Sequence, residues 1–172
     1  MLCILLIQTY ELYDYLIVDS QTSDKSRYTV TSGTASLTYS SDGLYVKGTS
    51  STTAFTENTA ITLPSSYVLE CTVTNHSTYG YYGGFCVDDV LIDFTNAKID
   101  IYKFSTITML SSINHAYSSG DVFKLEMDNG TMKIYYNNTL ITTQTISTTG
   151  KFKYRQDKDR GIGIKDLKVK PL

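Results

Sequence analysis

Tryptophan is absent from this chain of 172 residues, and proline (2), histidine (2) and cysteine (3) are scarce. Without Trp, any flat aromatic surface must be built from Tyr or Phe. The two histidines, His76 and His115, stand far apart and no C-x-x-C pair occurs, so there is no zinc-site spacing. Neither histidine sits beside a Ser or Cys nucleophile motif, and G-x-S-x-G is missing. Charged residues make up only 19% with a formal net charge of −2, so no basic field exists to hold phosphates and nucleic acid is excluded as a partner. Long apolar runs are also lacking. The opening MLCILLIQTYELYDYLIV is too short for a transmembrane helix and has neither a basic n-region nor a small-residue cleavage motif, so the chain is not expected to be membrane-embedded. An opening strand, a short helix and the stub of a longer chain all remain as readings of that segment, the first and last being favoured.

The three cysteines leave two readings open. Cys71 and Cys86 lie in runs that can pair as a hairpin around residues 76–79, which would allow a disulfide. Two buried thiols behaving as small hydrophobes are the equal alternative. Cys3 is left over.

What is abundant points to β structure. Ser and Thr together form about a quarter of the chain, and Tyr occurs fifteen times. Thr and Tyr favour strands and Ser favours turns. Tyr also presents an apolar ring with a polar tip, suited both to half-exposed strand positions and to ligand contact. Period-two writing is clearest near the end. Phe123, Leu125 and Met127 alternate with Lys124, Glu126 and Asp128; the chain turns at Asn129-Gly130; Met132, Ile134 and Tyr136 resume the alternation. Asn-Gly between two such runs is the strongest short-range hairpin signal, because both residues tolerate positive φ. Asn137-Asn138 predicts a further turn before Leu140, and Ser41-Asp42-Gly43 one between Leu37 and Leu44.

Many short strands, with no helical stretch after residue 20, predict an all-β antiparallel fold, a β-sandwich or a barrel, of which the sandwich is favoured. Its core includes Leu69, Val73, Phe123, Leu125, Met132, Ile134 and Phe152. At the last strand the alternation changes parity, Ile162 and Ile164 being even and Leu167 and Val169 odd. A bulge near Lys165-Asp166, or burial on both faces, would account for it. No linker divides the chain, so residues 1–14 read as an N-terminal strand or linker stub and 15–172 as one domain.

The meander at 121–137, the closing run at 161–169 and the opening Asp19-Ser20 segment resemble the concanavalin A-like lectin and glucanase jelly rolls. That superfamily includes non-catalytic carbohydrate-binding modules of phage tail proteins and microbial surface adhesins. The resemblance implies two stacked antiparallel sheets, with ligands across a concave face or at the loops of one edge. It also implies an extracellular, cell-surface or virion location, a polysaccharide or glycoconjugate partner, and membership of a larger chain or multimer. Asp19 and Asp166 match positions that help hold a structural calcium ion in several such modules; calcium wants six to eight oxygens, so carbonyls and water would complete the shell.

The Tyr- and Gly-rich segment 79–84 is the candidate sugar platform. Tyr79, Tyr81 and Tyr82 would stack on sugar faces and Asp88 and Asp89 would accept bonds from hydroxyls; a hairpin tip with incidental aromatics is the structural alternative. An enzyme is not expected. Retaining glycosidases of this fold carry two Glu and an Asp on alternate residues of one strand, a run missing here, and the nearest substitutes are Glu126 with Asp128 and Asp88-Asp89 with Asp93. A binding module is therefore the expected function, with a structural domain of a surface or virion assembly, or a glycoside hydrolase or lyase of the same fold, as alternatives.

Overall fold

Positive φ at paired turn residues sets the register of the carboxy-terminal meander. Asn129 (φ 46°) and Gly130 (86°) join β11 (Val122–Asp128) to β12 (Thr131–Tyr136), and Asn137 (45°) and Asn138 (65°) join β12 to β13 (Thr139–Thr145). Two positive φ values at each tip make the mirror-image turn whose twist matches the strands. In this computed structural model the described residues are 17–19, 27–40, 43–49, 52–59, 61–76, 83–95, 97–157 and 160–172. Cys3, the segment 1–14 and the Ser41-Asp42 part of the first predicted turn lie outside them.

Two antiparallel sheets stack face to face. One runs β13-β12-β11-β6-β15-β4-β3, using β3 (Ala35–Ser40), β4 (Gly43–Gly48), β6 (Ser66–His76) and β15 (Gly161–Pro171), with β1 (Ile17–Asp19) also pairing β15. The other runs β10-β9-β8-β7-β14-β5-β2, made of β2 (Tyr28–Ser32), β5 (Ala54–Asn58), β7 (Gly83–Val87), β8 (Val90–Phe94), β9 (Ile99–Lys103), β10 (Thr108–Ile113) and β14 (Phe152–Gln156). There is no α-helix among the described residues. The expected core residues Leu69, Val73, Phe123, Leu125, Met132, Ile134 and Phe152 are all fully buried between the sheets. Phe85 packs edge-on to Phe123 at 5.7 Å between ring centres and stacks on Phe152 at 5.9 Å. Such pairs add about 1 kcal/mol each beyond the area they bury.

The parity change in the last strand is a bulge. Lys165 pairs with Thr72 and Lys168 with Glu70, so three steps along β15 match two along β6, and Asp166 takes φ 52° at the extra residue. The insertion returns Leu167 and Val169 to the buried side.

The hairpin expected to join Cys71 and Cys86 does not form. β6 pairs with β11 and β15 in the first sheet, while β7 pairs with β8 and β14 in the second. Cys71 faces the core and Cys86 the opposite side of the other sheet, and both are buried free thiols. Strand pairing across the sandwich overrides the local proximity that suggested a bridge.

Candidate ligand-binding site

Alternation on the second sheet sends every other side chain away from the core, and the register lines these up in rows across the strands. One row reads Ser112, Asp100, Asp93, Gly84, Arg155, Phe55 and Ser32 from β10 to β2; the next reads Met109, Tyr102, Leu91, Cys86, Lys153, Glu57 and Thr29.

In the first row Arg155 reaches over Gly84 to Asp93, with Nη1 3.1 Å from Oδ2, and its other nitrogen meets Asp157 Oδ2 at 3.0 Å. Glycine leaves the crossing open: a Cβ on residue 84 would strike the Ile92 carbonyl. Thr53 donates to the second oxygen of Asp157 at 2.5 Å. Asp93 and Asp100 stand directly opposite on neighbouring strands, an arrangement that like charges resist. Each is answered separately. Lys98 pairs with Asp100 at 3.0 Å and Ser112 donates to it at 2.7 Å, while Arg155 serves Asp93. Asp93 is 2% exposed, and its Oδ1 has no hydrogen-bond partner. Burial pushes its pKa up, the Arg155 charge pulls it back, and it comes to rest at about 6.

A turn folds over this face. Residues 104–107 join β9 to β10, and Phe104 meets Phe55 of β5 edge-on at 5.6 Å between ring centres. β9 and β5 are four strand positions apart, roughly 19 Å in a flat sheet, so the sheet must curl and the turn must arch across it. Asp89 anchors the arch by accepting from both the backbone N–H and the hydroxyl of Ser105 at 2.7 Å each. Ile107 follows at φ 50°, a strained setting for a β-branched residue, and is 63% exposed.

Below the arch lies a hollow of about 540 Å³, lined by Asp93, Arg155, Asp157, Tyr102, Phe55 and Phe104 among others. A second, of about 410 Å³, shares the Phe55–Phe104 wall and is lined on its other sides by Thr31, Ser32, Glu57, Lys151 and Lys153. Both volumes fall in the range of small-molecule sites.

The site residues expected from sequence fare differently. Tyr79, Tyr81 and Tyr82 lie outside the described residues. Asp88 and Asp89 are buried, and their oxygens are taken by the protein's own donors. Asp88 accepts from the Tyr67 hydroxyl at 2.6 Å and from the backbone N–H groups of Thr149 and Gly150 at 2.7 Å each, which leaves both carboxylates holding turns in place. Asp19 pairs with Leu167, the neighbour of Asp166, so the backbone does bring the two aspartates to one place. Among the described residues no group of three or more His, Cys, Asp or Glu gathers to hold a metal, and a site built on these two carboxylates would draw its other oxygens from carbonyls and water. Glu126 is on the outer face of the first sheet, tied to Lys124 and Tyr135 at 2.9 Å each, and Asp128 is exposed. Of the carboxylates weighed from sequence, only Asp93 lines the hollow. Arg155, Asp157, Phe55, Phe104 and Tyr102 were not singled out as site residues. The alternation of Lys153, Arg155 and Asp157 with Phe152, Tyr154 and Gln156 was the signal that places three of the hollows' charges on one face.

No family model matches the chain, and no curated protein matches it either. Solved structures do. The carbohydrate-binding module CBM66 from Bacillus subtilis aligns at a TM-score of 0.63 with 17% identity, covering 87% of this chain and 98% of that one. The exoplasmic domain of VIP36, in its Ca2+/Man3GlcNAc-bound form, aligns at 0.56 with 10% identity over 85% and 84%. An alginate lyase from Corynebacterium sp. aligns at 0.57 with 11% identity over 92% and 94%. At these identities the likeness is one of fold, a concanavalin A-like jelly roll.

Proposed function

We propose that the chain binds carbohydrate in the hollow beneath the 104–107 turn and does not cleave it. The observation that carries this reading is a cavity of about 540 Å³ walled by Phe55, Phe104 and Tyr102, with the linked ion pairs of Asp93, Arg155 and Asp157 in its lining. Rings flank the apolar face of a sugar while carboxylates and a guanidinium read its hydroxyls. The carbohydrate-binding module and the sugar-bound VIP36 domain among the similar folds support the ligand class. Polysaccharide or glycoconjugate at a cell surface is the partner we infer, bound by a protein that is itself extracellular, on a cell surface or part of a virion, with several copies acting together to raise a weak single-site affinity.

The alginate lyase keeps a catalytic reading in view, as does the Asp93–Asp100 pair. Against it, Asp100 is committed to Lys98 and Ser112, and Asp93 to Arg155. His115 is exposed beyond the end of β10 and tilted against Tyr136, away from the hollow.

A glycan array probed with an oligomerised chain tests the proposal, followed by titration of the best glycan. Tyr102→Ala with Asp157→Asn should weaken binding at least tenfold with the melting temperature nearly unchanged. If Tyr79, Tyr81 and Tyr82 changed to Ala abolish binding instead, the site is at residues 79–84. If nothing binds, an assembly role replaces this reading, and release of sugar fragments would make the protein an enzyme.

A further inference from the structure

The two hollows carry opposite charge. In the first, two carboxylates, Asp93 and Asp157, face one guanidinium; in the second, two ammonium groups, Lys151 and Lys153, face one carboxylate. Glu57 is held from both sides, with Lys151 Nζ 2.9 Å from Oε1 and Lys153 Nζ 3.3 Å from Oε2. Burial pushes the Glu57 pKa up, but the hydrogen bonds from Lys151 and Lys153 outweigh it and hold the carboxyl below its ordinary value. One anion thus serves two cations. An ammonium carries three N–H donors, and Glu57 is the acceptor that each meets here. The Thr31 and Ser32 side of the hollow is exposed, as is much of Lys151.

We propose that the second hollow receives a sugar residue bearing a single negative charge, next to a neutral residue in the first hollow. This rests on the carbohydrate reading of the first hollow. The shared Phe55–Phe104 wall fixes the relation between the two: one ring pair borders both units, so the ligand must change from neutral to acidic across it. An acidic unit is repelled from the first hollow, where carboxylates predominate, and attracted to the second, where a cation is in excess. The polarity of the site therefore selects a heteropolymer with acidic and neutral residues in sequence over a uniform polymer of either kind. A carboxylate and a sulfate supply the same chemistry.

The test measures binding of an oligosaccharide containing uronic acid and neutral residues, its carboxyl-reduced counterpart, and a sulfated derivative of the reduced form. The acidic ligand should bind roughly fivefold tighter than the reduced one, as expected of partly exposed ion pairs. That advantage should fade at 1 M salt, where the screening length is about 3 Å. Restoration of affinity by the sulfate would identify charge as the feature read; failure of the sulfate to restore it would confine the site to carboxylates. Lys151→Met with Lys153→Met should erase the preference, the acidic and reduced ligands then binding alike, and Glu57→Gln, which releases both lysines, should enlarge it. Equal binding of acidic and reduced ligands to the wild type, or a preference that survives the double lysine change, overturns the assignment alone. Failure of every ligand to bind overturns it together with the carbohydrate reading.

Discussion

Arg155 meets Asp93 across the backbone of Gly84, two strands joined over a third whose residue has no side chain. The crossing depends on that glycine. Gly84→Ala puts a methyl against the Ile92 carbonyl, so the strand must shift. The expected cost is about 1–3 kcal/mol, as for other overpacked sites, read as a lower urea midpoint with unchanged slope.

Stability should peak in mildly acidic solution. The folded pKa of Asp93 lies near 6, above its ordinary 3.8. Between these values the folded state binds the extra proton, so stability declines as pH rises through 6. Glu57 and Glu126 are held below their ordinary 4.5, so their contribution is lost as pH falls below that value. Thermal melts from pH 3 to 8 should show a maximum at about 4.5 and a decline from there that levels off above about 6. Asp93→Asn should flatten the decline on the alkaline side and leave the acid side intact.

Tyr67 belongs to the first sheet and Asp88 to a turn of the second, and their 2.6 Å hydrogen bond fastens one to the other. Tyr67→Phe removes the donor and leaves a buried carboxylate oxygen short of a partner. A loss of about 2 kcal/mol is expected, measured by denaturant unfolding, with glycan affinity unchanged.

Tyr102→Ala alone should weaken binding of acidic and reduced ligands alike and so keep the acidic preference, whereas Lys153→Met alone should narrow the gap between the two. Titration calorimetry of the two variants with the acidic and reduced oligosaccharides separates these effects.

The meander was legible because one face of it is wet: Phe123, Leu125 and Met127 alternate with polar residues, and Asn129-Gly130 and Asn137-Asn138 have chemistry suited to the turns they form. The Asp166 bulge was legible from the same alternation, since a change of parity in a buried strand has few causes. Strand partnership was not. Nothing local to Cys71 and Cys86 reveals that successive strands go to opposite sheets, because that choice is settled by partners distant in sequence. The hollow was hidden for the same reason. Asp93, Arg155 and Phe55 belong to three separate segments, and only the register sets them in one row. Phe104 was harder still, since its role depends on a turn arching over four strand spacings.

A sulfur sits on the same face of the sheet as the two hollows. Cys86 points away from the core, on the strand midway below the Phe55–Phe104 span, yet is only 2% exposed, and burial pushes its thiol pKa up to about 12. Its cross-strand neighbours on that face are Lys153 and Leu91. The rate at which a thiol reagent labels Cys86 in the native protein therefore clocks how often this face of the second sheet opens.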